Sequence, residues 1–359
     1  MNTGGIAQKL IDFAKILVGR IPGGLAHTNI LGNTLFGSLS GSSVAASVAI
    51  GGVLIPMEEK EGYDKKFAAA VNIASAPTGL IIPPSGILII YPVLAGCSVV
   101  GMIMSGYIPG LMWALACMVV AYVIAKKNHY PTAGKVPASV FFKYFVDAIP
   151  SLLLIVIIVG GVMSGIFTAT ESAAVAVAYT LFLSIVVYRS IKIKDLPKIL
   201  LDACETTAVI MFLIAGSNVM SFVMSFTGLP SAIGNALISV SSNKYVILLI
   251  INLVLLVVGC FMDITPAVLI FTPIFLPVVQ SFGMDPIHFG IMMVMNLGIG
   301  NITPPVGSAL FSGCSVADMD MEDMIKPILP FYAAIFVALM LVAYVPWFSM
   351  ALPTLFGAV

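Results

Sequence analysis

The sequence holds 359 residues, 60% of them hydrophobic and 9% charged, with a mean hydropathy of +1.11. A soluble domain carries about 25% charged residues, so this chain cannot cover a water-facing surface; its long apolar runs mark helical spans rather than barrel strands. Lys plus Arg equals Asp plus Glu at 16 each, which gives no reason to expect a nucleic-acid partner, and the five cysteines stand apart in apolar sequence with no Cys-x-x-Cys pair.

Residues 1–21 are amphipathic and carry Asp12 and Arg20, so they read as an arm helix in the membrane plane rather than a signal peptide. The apolar stretch 22–57 is interrupted by Gly37-Ser-Leu-Ser-Gly-Ser-Ser43, which predicts a helical hairpin that enters the membrane and returns. Within 64–95, Thr78-Gly-Leu-Ile-Ile-Pro-Pro-Ser-Gly86 predicts a broken helix. Paired prolines remove two backbone donors and push the preceding residue out of α geometry. Clean spans are expected over 107–125, 146–166, 168–188 and 203–222. Two of the intervening loops are basic: 126–143 holds Lys126, Lys127, Lys135 and Lys143, and 189–198 holds Arg189, Lys192, Lys194 and Lys198. Two spans separate these loops, so both belong on the cytoplasmic side. A second amphipathic arm is expected over 228–243, and a second hairpin over 244–281 with Gly259-Cys-Phe-Met-Asp-Ile-Thr-Pro266 at its middle. A second broken helix follows over 286–311, unwound at Gly300-Asn-Ile-Thr-Pro-Pro-Val-Gly307, then a last span over 327–346.

These features recur at a fixed offset. Ile55-Pro56, Gly62, Asp64, Gly79, Pro83-Pro84 and Gly86 return 221 residues on as Leu276-Pro277, Gly283, Asp285, Gly300, Pro304-Pro305 and Gly307. Counting spans between the halves makes the repeat inverted, so the first hairpin opens toward the cytoplasm and the second away from it. The predicted class is an all-α integral membrane protein, an inverted-repeat secondary transporter with two re-entrant hairpins and two broken helices. Its parts are an arm at 1–21, a transport half at 22–106, scaffold spans at 107–227, an arm at 228–243, a transport half at 244–318 and a scaffold span at 319–359.

Half-helix N-termini favour an anion, and unwound carbonyls suit a bare monovalent cation. Candidate cation ligands are Ser38, Ser40, Ser42, Thr78, Gly79 and Ser85 in the first half. In the second they are Asp263, Thr265, Gly300, Asn301 and Thr303. Candidate substrate contacts are Ser40, Gly41, Ser42, Pro83, Pro84, Ser85, Pro304, Pro305 and Gly307. A carboxylate at an intramembrane tip is functional by default, so Asp263 reads as a ligand, a helix cap, or both. Glu171, at the turn between two spans, fits an N-capping role better than a ligand role.

The chain resembles the large membrane subunit of tripartite ATP-independent periplasmic (TRAP) transporters. The resemblance rests on Gly4-Gly-Ile-Ala, Leu35-Phe-Gly-Ser-Leu-Ser-Gly-Ser-Ser-Val44, Leu54-Ile-Pro, Gly62-Tyr-Asp and Ile81-Ile-Pro-Pro-Ser85. It continues through Gly165-Ile-Phe-Thr-Ala-Thr-Glu-Ser-Ala-Ala174 and Asn301-Ile-Thr-Pro-Pro-Val-Gly307, and so covers essentially the whole chain. It implies an elevator-type carrier in the bacterial inner membrane that is driven by Na+ and moves organic acid anions such as C4-dicarboxylates or sialic acid. It also implies two protein partners, a small four-span membrane subunit and a periplasmic substrate-binding protein. Family members carry additional spans before the first arm, so a late start or a partial chain is expected here. The other classes considered are an intramembrane enzyme, a passive channel, a non-transporting assembly subunit and a one-chain symporter. No His or Lys is placed as a base for Ser40, which counts against the enzyme.

Overall fold

The computed structural model describes residues 6–132, 138–228, 232–233, 236 and 243–358. Every regular element among them is helical. In chain order, α1 is Ile6–Val18, and hairpin 1 is built from α2 (Gly24–Ser40) and α3 (Ser43–Lys60). The first broken helix is α4 (Lys65–Ser75), a single turn α5 (Thr78–Ile81), an unwound stretch over 82–86 and α6 (Ile87–Ala95). Then come α7 (Val99–Ser105), α8 (Tyr107–Lys127), α9 (Ala138–Ile155), α10 (Gly161–Met163), α11 (Ala169–Phe182) and α12 (Leu196–Thr227). Hairpin 2 is α13 (Lys244–Phe261) and α14 (Ile264–Gln280). The second broken helix is α15 (Pro286–Asn301), an unwound stretch over 302–307 and α16 (Ser308–Val316), followed by α17 (Met321–Tyr344) and α18 (Trp347–Leu355).

Among the described residues, six helical stretches are long and apolar enough to cross a membrane, and five coincide with the expected spans. The sixth, Lys244–Phe261, is the first arm of hairpin 2. It does not lead to the far side, because Met262 is extended (φ −123°, ψ 146°) and α14 runs back from it. Tyr245 and Phe282, at the two ends of the hairpin, therefore line one hollow. Length and hydropathy cannot distinguish such an arm from a true span; only the turn does.

The hairpins open on opposite faces. At the base of hairpin 1, Tyr63 stacks on Tyr130 with ring centroids 4.5 Å apart, and its hydroxyl donates to the Pro131 carbonyl at 3.1 Å. One turn on, Lys66 pairs with Asp323 at 2.6 Å, at the start of α17. At the other end of α17, the Tyr344 hydroxyl donates to the Tyr245 carbonyl at 3.2 Å, at the base of hairpin 2. The 24 residues of α17 span about 36 Å at ~1.5 Å per residue. The two bases thus lie a membrane thickness apart, with hairpin 1 on the face of the basic loop that starts at Lys126.

The two halves interlock crosswise: α3 packs on α16, and α14 packs on α6. The broken helices form the axis, since α15 is buried from Ile287 to Asn301 and α4 from Phe67 to Ser75. A helix apolar on all sides belongs at such a centre. The halves differ in one respect that hydropathy did not foretell. Pro77, which has no N–H to donate, interrupts the first broken helix before its unwound stretch. Its repeat equivalent is Gly298, and α15 runs through that position unbroken to Asn301.

The first arm helix, α1, bridges two parts of the molecule. It lies against α2 and also against α9, where Lys9 pairs with Asp147 at 3.1 Å and Phe13 meets Phe145. The second arm, expected over 228–243, falls almost wholly outside the described residues.

Candidate functional site

Each half brings a hairpin tip against its own broken helix by removing side chains at the crossing. A Cβ added to Gly79 would lie 2.2 Å from the Gly37 carbonyl carbon, and one added to Gly300 would lie 2.4 Å from the Gly259 carbonyl carbon. No residue other than glycine allows so close an approach. The tips are then shaped locally. Gly41 turns hairpin 1 with a left-handed φ of 62°, and Ser42 caps α3 by accepting the Ala45 N–H at 3.2 Å. In the second half, the Val306 N–H donates to the Cys260 carbonyl at 3.2 Å, and the Tyr332 hydroxyl donates to the Ile302 carbonyl. Unwound backbone is tolerated at membrane depth only when it is satisfied in this way. Both unwound stretches carry a cis Pro-Pro bond, Pro83-Pro84 and Pro304-Pro305.

A chain of polar side chains joins the halves at the tips. Ser308 at the start of α16 donates to Asp263 Oδ1 at 3.2 Å and lies in hydrogen-bond contact with Asn301 Oδ1. Asn301 Oδ1 also accepts the Ala309 N–H at 3.2 Å, and its Nδ2 donates to Ser43 Oγ at 2.7 Å across the repeat interface. Tip 2, break 2 and tip 1 are tied by these four side chains. Asp263 occupies the N-cap position of α14, yet its carboxylate makes no capping bond to that helix. It faces a hollow instead.

That hollow has a volume of about 620 Å³ and lies between both tips, the start of α6 and helix α12. Of the expected substrate contacts, Ser40, Gly41 and Ser42 line it; of the expected cation ligands, Ser40, Ser42, Asp263, Thr265 and Asn301 do. Pro83 and Ser85 lie buried behind tip 1, and Pro84 is half-buried. Pro304 is half-buried, and Pro305 lines a separate groove with Val44, Val48 and Phe311. Gly307 is buried at a positive φ of 39° and lines neither.

The hydroxyls of Ser38, Ser40, Thr78 and Thr303 donate to carbonyls of their own helix turns, at 2.9, 3.3, 2.7 and 2.6 Å. Donation uses the proton and leaves lone pairs for a cation. Ser85 is different: its buried hydroxyl has no hydrogen-bond partner among the described residues. Gly79 and Gly300 sit at the two crossings. Glu171 closes a capping box with Thr168, whose N–H donates to its Oε2 at 2.8 Å.

Sequence reasoning missed Glu205 and Ser308. Glu205, on α12, lines the hollow together with Asp263. An acidic residue near the end of an apolar span was the available signal, but nothing local shows which way such a residue faces. Among the described residues, no Lys, Arg or His lines the hollow. Three helix N-termini, those of α3, α6 and α14, open onto it.

Two glycine crossings and two inverted tips thus converge on one shared hollow. Comparison with known proteins supplies the family: residues 1–348 match the model of the tripartite ATP-independent periplasmic transporter, DctM component. The chain belongs to this family. It is similar to the C4-dicarboxylate TRAP large permease DctM of Pseudomonas aeruginosa, 39% identical over 99% of the chain and 84% of the relative. The sialic acid TRAP large permease SiaM of Vibrio cholerae is also 39% identical, over 99% of the chain and 83% of the relative. An uncharacterized Salmonella typhimurium protein, YgiK, is 52% identical over 99% of the chain and 82% of its own length. The chain is therefore a TRAP large permease, a multi-pass inner-membrane transport protein and not an enzyme.

Proposed function

We propose that this permease couples entry of Na+ to uptake of an organic acid anion, of the class that includes C4-dicarboxylates and sialic acid. The carrying observation is the charge of the hollow. Two carboxylates, Asp263 and Glu205, line it, with no basic side chain among its described lining residues. Such a site repels an anion until cations bind first, and the crossings beside it offer hydroxyls, carbonyls and Asp263 as hard oxygen ligands. Bound Na+ supplies the missing positive charge, and the N-termini of α3, α6 and α14 then favour a carboxylate. An anion that binds only after sodium is thermodynamically coupled to it.

The two halves carry the site across the bilayer as an elevator, against the scaffold formed by α8, α9, α11, α12 and α17. α1 touches both parts and serves as the connecting arm. Substrate arrives on a periplasmic binding protein, and a small four-span membrane subunit steadies the scaffold. The relatives named for C4-dicarboxylates and sialic acid support this substrate class and the three-component assembly.

Reconstitution tests the reading. In sodium-energised vesicles, the chain with its small partner and loaded binding protein should accumulate substrate, and the chain alone with free substrate should not. Uptake by the assembled system that is indifferent to a sodium gradient would overturn the coupling. Robust uptake by the chain alone would replace three components with a one-chain symporter.

A further inference from the structure

Hairpin 1 encloses a line of polar side chains that hairpin 2 lacks. It starts at Glu58 in the last turn of α3, which is fully buried at 0% exposure. Asn29 Nδ2 on α2 approaches Glu58 Oε2 at 3.5 Å. One turn on, Asn33 Nδ2 lies 3.0 Å from Asn29 Oδ1, 3.0 Å from Asn72 Oδ1 and 2.9 Å from Ser75 Oγ. Asn72 Nδ2 donates to the Ser47 carbonyl at 3.0 Å. The line ends where the Thr34 and Thr78 hydroxyls stand 3.3 Å apart, beside the Gly37–Gly79 crossing. Glu58 Oε1 and Asn33 Oδ1 have no hydrogen-bond partner among the described residues.

The repeat is an internal control. At the 221-residue offset, Glu58, Ser47 and Asn72 become Val279, Val268 and Met293. The Gly37–Gly259 equivalence sets the first arms at 222, where Asn29 and Asn33 become Ile251 and Leu255. The second half keeps only the Asn252–Asn296 pair, with Nδ2 to Oδ1 at 2.8 Å. Folding of a hairpin against its broken helix therefore does not require the polar line or the carboxylate.

The titratable groups facing Glu58 are Glu61 and the Tyr63 phenol, both at the hairpin base. α2 faces it with Asn29 and also carries the buried His27, and neither α5 nor α16 contains an acidic or basic side chain. On α4 and α1, Lys66 and Lys9 are engaged by Asp323 and Asp147, and among the described residues the half-buried Lys65 and Lys15 form no ion pair with Glu58. A buried carboxylate without a cation beside it, and with one oxygen lacking a donor, neutralises by taking up a proton.

We infer that Glu58 is a proton-binding site whose occupancy controls cation affinity at the hairpin 1 crossing. The inference rests on the proposed sodium site at that crossing. Five residues of α2 separate Asn29 from Thr34, about 7.5 Å of helix axis, so the charge acts over roughly 10 Å. Across that distance at an effective dielectric of ~20, an ionised Glu58 tightens a monovalent cation by on the order of tenfold. Protonation releases it. Glu58 lies at the base near Tyr130, the face expected to be cytoplasmic, so acid on that face promotes sodium release there.

Two measurements test this on the complete transporter. Infrared difference spectra of wild type against variant at neutral pH should show the carbonyl stretch of a protonated carboxylic acid, lost in Glu58→Gln and in Glu58→Val. The second substitution installs the residue of the repeat position and guards against a folding defect specific to Gln. No such band in wild type overturns the proton site. In vesicles, the sodium activation constant of wild-type uptake should fall about tenfold from mildly acidic to mildly alkaline internal buffer, and Glu58→Gln should abolish that dependence. A variant with the wild-type pH response overturns the control of sodium affinity. Uptake indifferent to sodium at every pH defeats the sodium reading instead, and the carboxyl band then decides the proton site alone.

Discussion

Asp263 and Ser85 show how differently two candidate ligands are prepared. Asp263 is held toward the hollow by Ser308 at 3.2 Å and contributes no capping bond to α14. Asp263→Asn keeps an oxygen for Ser308 and removes the charge. Half-maximal uptake should therefore require at least tenfold more sodium, with protein yield unchanged; a wild-type sodium titration would reduce Asp263 to a structural residue. Ser40→Ala and Ser85→Ala each remove one neutral oxygen, so a smaller shift of a few-fold is expected. The effect should be purest at Ser85, whose hydroxyl satisfies nothing else in the fold. Ser40 also donates to the Gly37 carbonyl, and its loss adds a slight loosening of the tip. Equal sodium titrations for both variants and wild type would rule out the first cation site.

At the scale of elements, the hairpin is positioned by backbone rather than by side-chain contact. The Gly37–Gly79 and Gly259–Gly300 crossings repeat the same solution in the two halves. A methyl group at either crossing meets backbone, which cannot turn aside as a side chain can. Gly79→Ala and Gly300→Ala should each cost more than the ~1–3 kcal/mol of ordinary overpacking, and should be read out as loss of monodisperse purified protein. Gly86→Ala is the matched control, since an added Cβ there meets nothing within 4 Å and its φ of −60° suits any residue. Comparable losses for all three would mean that the crossings are not the constraint. The repeat was legible because such backbone contacts tolerate one residue type alone, so Gly79 and Gly300 stand in register in the sequence. Ser43–Asn301 was not legible, because a contact between halves leaves no local spacing to read.

At the scale of the whole molecule, the opposed hairpin bases define a topology that labelling can test. Glu61 is exposed beside hairpin 1 and Ser281 beside hairpin 2. In a background without the five native cysteines, Glu61→Cys should react with an impermeant maleimide only from the cytoplasmic face. Ser281→Cys should react only from the periplasmic face. Labelling of both from one side would break the inverted arrangement. The same opposition gives each hairpin one face to serve, and only the hairpin on the basic-loop face encloses the Glu58 line.

Composition, the 221-residue register and the paired prolines were enough to determine a helical membrane carrier with two hairpins, two broken helices and their rough boundaries. Each of these follows from a local rule: hydrocarbon thickness sets span length, and proline or glycine marks where a helix must stop. The tertiary structure alone decided three further matters. Lys244–Phe261 turns back at Met262 although it is long enough to cross. Pro304, Pro305 and Gly307 stand apart from the hollow that Ser40, Gly41 and Ser42 share with Asp263. Glu58 and Glu205, unremarkable as letters, become a buried carboxyl and a wall of the site. The physical reason is common to all three: hydropathy and spacing fix what a residue does to its own helix, whereas burial and charge environment depend on helices brought from elsewhere in the chain.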